Sequence, residues 1–172
     1  SDRPPPMKVT YWGVRGSMPV PGRSTTRYGG NTSCVAVQRG DALLVIDAGT
    51  GIVSLGERLD PGVKEIFVLL THRHMDHVQG LPFFEPLYSG TARVTLLDVP
   101  VRNGFWTPLE LFDGVAVPMR RPEPGMTLRR APGNPFEALR ERGWDVSGIE
   151  LCHPGGSRGI RIGDEGSSFV HL

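Results

Sequence analysis

The densest chemistry in the chain lies in the ten residues THRHMDHVQG, 71–80. The protein has five histidines, and three of them, His72, His74 and His77, fall within one six-residue window. Asp76 sits among them, and the apolar run EIFVLL (65–70) comes immediately before. Such a run reads as a strand buried on both faces. In an extended segment residues two apart point to the same side, so His72 and His74 converge on one point. Asp76 and His77 fall where the chain should turn into a short helix. Being adjacent, they leave that turn in divergent directions and could serve a second point close to the first, while Arg73 and Met75 point away. Neutral imidazole and carboxylate suit zinc, and also iron or manganese. The competing reading is a solvated histidine-rich loop or a set of core histidines. A cationic cluster at the mouth of a buried strand would repel itself unless a metal or deprotonation relieved it.

The elements that must hold this loop are mostly strands. Residues 7–12 (MKVTYW), 33–38 (SCVAVQ), 42–47 (ALLVID), 65–70 and 92–97 (ARVTLL) have strand character, and 115–118 (VAVP) reads as an edge. The second and third are at hairpin distance across Arg39-Gly40-Asp41. Residues 51–59 (GIVSLGERL) carry an apolar helical stripe, Ile52, Val53, Leu55 and Leu59, that stops at Asp60-Pro61-Gly62. Residues 135–143 (PFEALRERG) read as a helix with Pro in its first turn and Gly at its end. Strand 146–151 (VSGIEL) and a hairpin around the turn 163–166 complete the chain. Strands mixed with a few helices mean a layered α/β or α+β domain.

At 172 residues the chain suits one domain, 7–172, behind a flexible leader, 1–6. A net charge of +1 selects neither nucleic acid nor an anionic membrane as a general partner. No apolar run approaches the roughly 20 residues of a membrane span, and SDRPPP has no hydrophobic signal core. Two widely separated cysteines, Cys34 and Cys152, are expected as free buried thiols, which fits a cytoplasmic location. The 23 glycines and 16 prolines argue against a helical bundle, and 119–133 (MRRPEPGMTLRRAPG) is the best candidate for a long loop. Its arginines, Arg120, Arg121, Arg129 and Arg130, could grip RNA, but Glu123 dilutes them and no aromatic interleaves, so a solvated basic loop is preferred.

HRHMDH fits HxHxDH, and with its preceding strand, Thr71 and Gly80 it resembles the signature of the metallo-β-lactamase superfamily. Residues 12–22 (WGVRGSMPVPG), 28–34 (YGGNTSC), 46–52 (IDAGTGI) and 80–84 (GLPFF) resemble one branch of it, the phosphodiesterase-type hydrolases related to ribonuclease Z. The similarity is close over 8–90, thins, and returns at 152–162 (CHPGGSRGIRI). It implies a four-layer αββα sandwich. It makes His72 and His74 ligands of one metal, Asp76 and His77 ligands of a second, and His153 the next ligand. The family's bridging Asp and final His have no match: Asp164 sits in a hairpin turn, and His171 comes too early and is read as an ordinary strand residue. The sandwich is therefore expected to be incomplete at its C-terminus, and a single metal on His72, His74 and His153 stands as the alternative to two.

Two close divalent cations, zinc first and manganese or iron next, lower the pKa of a bridging water toward ~7 from about 15.7. The hydroxide is a nucleophile at neutral pH, and Asp76 is the catalytic residue that orients it and takes its proton. Asp47 could accept the second N–H of a ligating imidazole, or cap the helix that follows. Thr71 is either a strand end or a donor behind the ligands. The pocket wall is expected from 13–17 and 28–33, with Arg15, Ser17, Asn31 and Thr32 toward substrate. Their Gly-rich turns suit an anion, although a tight turn explains Gly29-Gly30 equally well, and Arg15 and Arg27 could be plain surface charge.

The function expected is a metal-dependent phosphodiesterase acting on a small phosphodiester or a nucleic-acid end. The alternatives are a hydrolase of a carbonyl ester, thioester or lactone on the same metals, or a non-catalytic binding module. Self-association as a homo-oligomer is open.

Overall fold

In the computed structural model of the protein, the described residues are 5–97, 108–112, 114–115, 117–118, 129–130 and 134–172. Six strands form one sheet in chain order: β1 (Lys8–Gly13), β2 (Cys34–Arg39), β3 (Ala42–Ile46), β4 (Glu65–Leu69), β5 (Arg93–Leu97) and β6 (Arg129–Arg130). β1, β2 and β3 are antiparallel neighbours, and β3 to β6 run parallel. The β2–β3 hairpin turns through Gly40, whose φ of 60° is open to glycine at no steric cost. The parallel pairs need crossovers. α1 (Gly51–Glu57) carries the chain from β3 to β4. α2 (Met75–Val78), a 3-10 turn at Leu81–Phe83 and α3 (Pro86–Ser89) carry it from β4 to β5.

Period-2 alternation sends successive side chains of this sheet into two different cores. Ala36, Leu43, Val45, Ile66, Val68, Val94 and Leu96 pack against Ile52, Leu55, Val78, Leu81, Phe84 and Leu87 of the crossover helices. Val35, Val37, Leu44, Ile46, Phe67, Leu69 and Leu97 face the other way. Burial on both faces is why these strands read as continuous apolar runs.

The second core is closed by α4 (Pro135–Arg140) and a three-stranded antiparallel sheet, β7 (Asp145–Leu151), β8 (Ser157–Asp164) and β9 (Ser167–His171). Val146, Ile160 and Ile162 meet the first sheet there, with Phe136, Leu139 and Trp144 beside them. Asn134 caps α4 by accepting the Phe136 N–H at 3.0 Å. The order is therefore helices, sheet, sheet. On the outer face of β7–β9, Ile149 and Val170 are exposed, so the fourth, helical layer of the expected sandwich is not found among the described residues.

Three expectations change. Of 115–118, expected as an edge strand, the described residues Val115, Val117 and Pro118 are not in a strand, and Ala116 is outside the described residues. Arg129 and Arg130 are not loop but pair with Thr95 and Leu96 of β5; the rest of 119–133, including Arg120 and Arg121, lies outside the described residues, as do residues 1–4 of the leader. Both cysteines are free, but Cys34 is buried and Cys152 exposed. No helix among the described residues is long and apolar enough to cross a membrane.

Gly148 of β7 packs against Phe136 of α4. A Cβ there would lie 2.3 Å from Phe136 Cζ. Gly148→Ala is expected to lower stability by about 1–3 kcal/mol through overpacking. Adding Phe136→Leu should recover part of that loss in a urea-denaturation double-mutant cycle. Strict additivity would remove the contact from consideration.

Candidate metal centre

β3 and β4 are neighbours in parallel register, Ile46 beside Leu69, so the chain leaves both at the same edge. Clefts at the carboxyl ends of parallel strands are where α/β folds place their chemistry. Immediately beyond β3, Asp47 adopts φ 64°, a left-handed conformation that Asp tolerates better than most residues. Its N–H donates to Leu69 O at 2.9 Å, while Ala48 N donates to His77 O at 2.7 Å and Gly80 N to Ala48 O at 2.9 Å. These bonds lash the β3 exit to α2.

The Asp47 carboxylate is wholly buried. Oδ1 accepts the Thr71 N–H at 2.8 Å and the Thr71 hydroxyl at 2.9 Å. Oδ2 lies 3.1 Å from Ser33 Oγ and 2.6 Å from His77 Nδ1. Thr71 Oγ1 also lies 3.0 Å from His72 Nδ1. Of the two roles open to Asp47 in the sequence, the cap is not realised: Thr50 occupies the N-cap of α1 and no side chain caps it. Asp47 and Thr71 instead back the histidines.

His72 and His74 do converge. His72 Nε2 is 3.1 Å from His74 Nδ1, and His153 Nε2 arrives from the other sheet at 3.2 Å from the same His74 atom. One ligand atom from each of the three lies within 4.8 Å of the others, with His72 buried and His74 and His153 exposed. His74 Nδ1 has one proton or one in-plane lone pair and can satisfy only one of its two neighbours. Three imidazole nitrogens gathered this way fit a divalent cation. Arg158 N, donating to Thr71 O at 3.2 Å, and Ser157 Oγ, 3.5 Å from His72 Nδ1, fasten the second sheet here.

Asp76 and His77 are closer to each other than their divergent sequence positions suggested. His77 Nε2 stands 3.4 Å from Asp76 Oδ2, and the His77 ring centroid is 4.0 Å from that of His72. The first turn of α2 bends both toward the cluster. Asp76 Oδ2 also accepts the Ser17 N–H at 2.7 Å, with Ser17 at φ 66°. Met75 points outward, as expected, and is exposed.

The other loop residues divide. Arg15 bridges Thr32 through the backbone, and its Nε donates to Met18 O at 3.2 Å. Asn31 Oδ1 accepts the Thr50 hydroxyl at 3.1 Å. Thr32 is wholly buried, its N–H donating to Thr50 Oγ1 at 2.9 Å and its hydroxyl accepting Thr50 N–H at 2.8 Å. Its backbone and hydroxyl groups brace the loop on α1. Arg27 sits over the exposed Tyr28 ring at 5.0 Å. Asp164 pairs with Arg39 at 3.2 Å and is not part of the cluster.

His171 lies in β9, the strand position expected of it, and is outside the group of gathered histidines. It faces inward, its Nε2 3.7 Å from Asp47 Oδ2. The signal for that inward face was available in the period-2 pattern of β9: Phe169 and His171 share the face that packs on the first sheet.

Electrostatics follow from burial and from Asp47. Burial by itself would raise the Asp47 pKa, but contacts with His171, His77 and Thr71 outweigh it and hold it at about 2. Burial pushes His72 down to about 4, with the neighbouring His77 adding to the effect and Asp47 opposing it. His77 is itself raised: burial would lower it, but its hydrogen bond to Asp47 and that carboxylate's charge prevail. Burial, then the Asp47 charge, pushes the Cys34 thiol up out of the ordinary range.

A histidine whose pKa falls on folding binds fewer protons folded than unfolded, so its contribution to stability is lost with acid. For His72 the window runs from 6.5 down to about 4. His77 works oppositely, its contribution complete below 6.5 and lost as pH rises through its folded value. Asp47 acts lower, losing its contribution as pH falls from 3.8 toward about 2. Metal-free protein is expected to lose stability in urea titrations as pH falls from 6.5 to about 4, with His72→Gln flattening that slope. A flat or rising profile in the unsubstituted protein would contradict the burial of His72.

No curated protein matches the chain in sequence. Its fold is similar to the crystal structure of the metallo-beta-lactamase fold protein YhfI from Bacillus subtilis, with TM-score 0.61 and 21% identity over 98% of this chain and 61% of that one. It is also similar to a metallo-beta-lactamase-like protein from Thermotoga maritima, with TM-score 0.50 and 18% identity over 92% of this chain and 73% of the other. The chain thus spans about three-fifths of the length of YhfI, and at these identities the likeness is one of fold. The family model of the metallo-beta-lactamase superfamily matches residues 27–171, most of the chain and every histidine described above. Strand order, histidine cluster and family match agree, and the chain belongs to the metallo-beta-lactamase superfamily.

Proposed function

We propose that the chain carries the metal centre of a phosphodiesterase. The observation that carries this reading is the meeting of His72 and His74, from the end of β4, with His153, from the end of β7, at a single point. Those three would hold one divalent cation. Asp76 and His77 would hold a second: because His77 Nδ1 is committed to Asp47, its Nε2 lone pair faces the Asp76 carboxylate, an arrangement that favours a cation between them. Imidazole and carboxylate make zinc the first choice, with manganese and iron next. When bound, such cations supply Lewis acidity that polarises a phosphoryl or carbonyl oxygen and makes water more acidic.

The remaining work falls to this chain's own groups. Asp76, fixed by the Ser17 N–H, orients the attacking water and takes its proton. Asp47 and Thr71 fix the tautomers of His77 and His72 from behind. Arg15, at the base of the same loop as Ser17, supplies positive charge toward a phosphodiester, and Asn31 shapes that loop through Thr50. The preference for a phosphodiester over a carbonyl substrate rests on the resemblance of segments 12–22, 28–34, 46–52 and 80–84 to the ribonuclease Z-related phosphodiesterases.

Metal analysis followed by turnover of a bis-aryl phosphodiester, with and without chelator, tests the proposal. Activity is expected to vanish on chelation and return with metal. His74→Ala should cut it by more than the roughly 10–100-fold typical of an outer-shell partner. Faster turnover of a thioester or lactone would move the assignment to carbonyl substrates, and bound metal with no turnover of any of the three would leave a binding module. His74→Ala with unchanged turnover would place the chemistry elsewhere.

A further inference from the structure

β9 runs antiparallel to β8 with Ile160 opposite His171 and Ile162 opposite Phe169. Both isoleucines are buried in the core between the sheets, so Phe169 and His171 hang from the inner face of the second sheet. Their rings stack at 30° with centroids 6.5 Å apart. His171 Nε2 then reaches within 3.7 Å of Asp47 Oδ2, its side chain only 18% exposed. That distance is within ion-pair range and beyond a formed hydrogen bond. The other groups on the Asp47 carboxylate, Ser33, Thr71 and His77, all belong to the first sheet and its loops. Asp47 is therefore touched from both sheets. His171 is not one of the three histidines whose ligand atoms gather, and the carboxylate it faces stands behind His77 rather than in front of it.

We propose that His171 is a positioning residue: from β9 it engages Asp47, and by doing so it sets His77 and seats the second sheet so that His153 reaches His72 and His74. This rests on the metal-centre reading and is independent of the phosphodiesterase one. The physical reason is rigidity. A ligand set drawn from two sheets binds metal well only if the sheets hold one relative position before the metal arrives. Near the cluster the second sheet is otherwise fastened by the Arg158 N–H on Thr71 and by Ser157 Oγ near His72, both at the start of β8. His171 adds a fastening one strand further across.

Cobalt(II) titration with visible absorption spectra, in competition with a chelator, tests this on the protein and three variants. His171→Phe keeps the ring that stacks on Phe169 and removes the ring nitrogen that faces Asp47. It is expected to weaken cobalt binding by about 10-fold or more and to shift the ligand-field bands. His171→Ala, which forces no bulk between the sheets, should show the same loss if the Phe variant does not fold. His171→Gln places an amide donor near the position of Nε2 and should stay within about threefold of the unsubstituted protein, less than the 10-fold that marks an outer-shell loss. Equal affinity and an unchanged spectrum in the Phe or Ala variant would overturn the proposal. So would a Gln variant as weak as the Ala variant, which would mean direct ligation or simple packing. An unsubstituted protein that takes up no cobalt would overturn the metal centre itself, and this inference with it.

Discussion

Burying a carboxylate away from water is costly unless hydrogen bonds and charge replace the lost solvation. Asp47 has no exposure at all, and the site around it reads as the solution to that problem. The two donors of Thr71, the Ser33 hydroxyl and the His77 imidazole converge on its two oxygens. Each of those groups is fixed in turn because it serves Asp47. His77 gains a defined tautomer and a raised pKa, and Thr71 is left with its hydroxyl against His72. Remove the carboxylate and the histidines lose the reference that holds them.

The cluster also joins two layers. The first sheet brings His72, His74, Asp76 and His77 on one continuous loop, and the second brings His153, Ser157 and His171 from separate turns and strands. Between the layers lies an apolar core, which is strong but non-directional. It can press the sheets together without fixing their slide or rotation to the tenths of an ångström that ligation needs. Directional contacts at the rim supply that: Arg158 to Thr71, His153 to His74, and at a separate site Met7 and Arg39 to Asp164. Mixed burial within the cluster follows from this arrangement. His72 is buried, whereas His74 and His153 are exposed.

How legible all this was differs by element. β2, β3 and β4 announce themselves because burial on both faces makes them continuous apolar runs, and their alternate residues divide cleanly between two cores. The α1 stripe was legible for a similar reason: Ile52 and Leu55 repeat at helical spacing and are both buried. Val115 and Val117, apolar enough for a strand pattern, lie in bends because an apolar pattern alone implies no partner strand. β6 was illegible because two arginines carry no apolar signal, and only the free edge of β5 makes them a strand. In the site, HRHMDH was conspicuous as a ligand-bearing loop. Thr32, expected on a pocket wall because its Gly-rich turn exposes backbone N–H groups, is buried completely by its pairing with Thr50. His171 was set aside because its place in the chain matched no ligand position, and a distance in the chain carries no information about which face of a strand meets which sheet.

The sequence by itself determined that a strand edge would present histidines and a carboxylate at ligand spacing, because local geometry in a strand and its following turn is set by residues two to four apart. It determined a mixed, layered domain as well, since period is written into each strand and helix. Only the tertiary structure decided that His171 arrives beside Asp47, and that Asp47 backs the histidines instead of capping a helix. Those outcomes depend on the packing of one sheet across another, a contact between residues 124 apart in the case of Asp47 and His171 (171 − 47), and no local rule reaches that far.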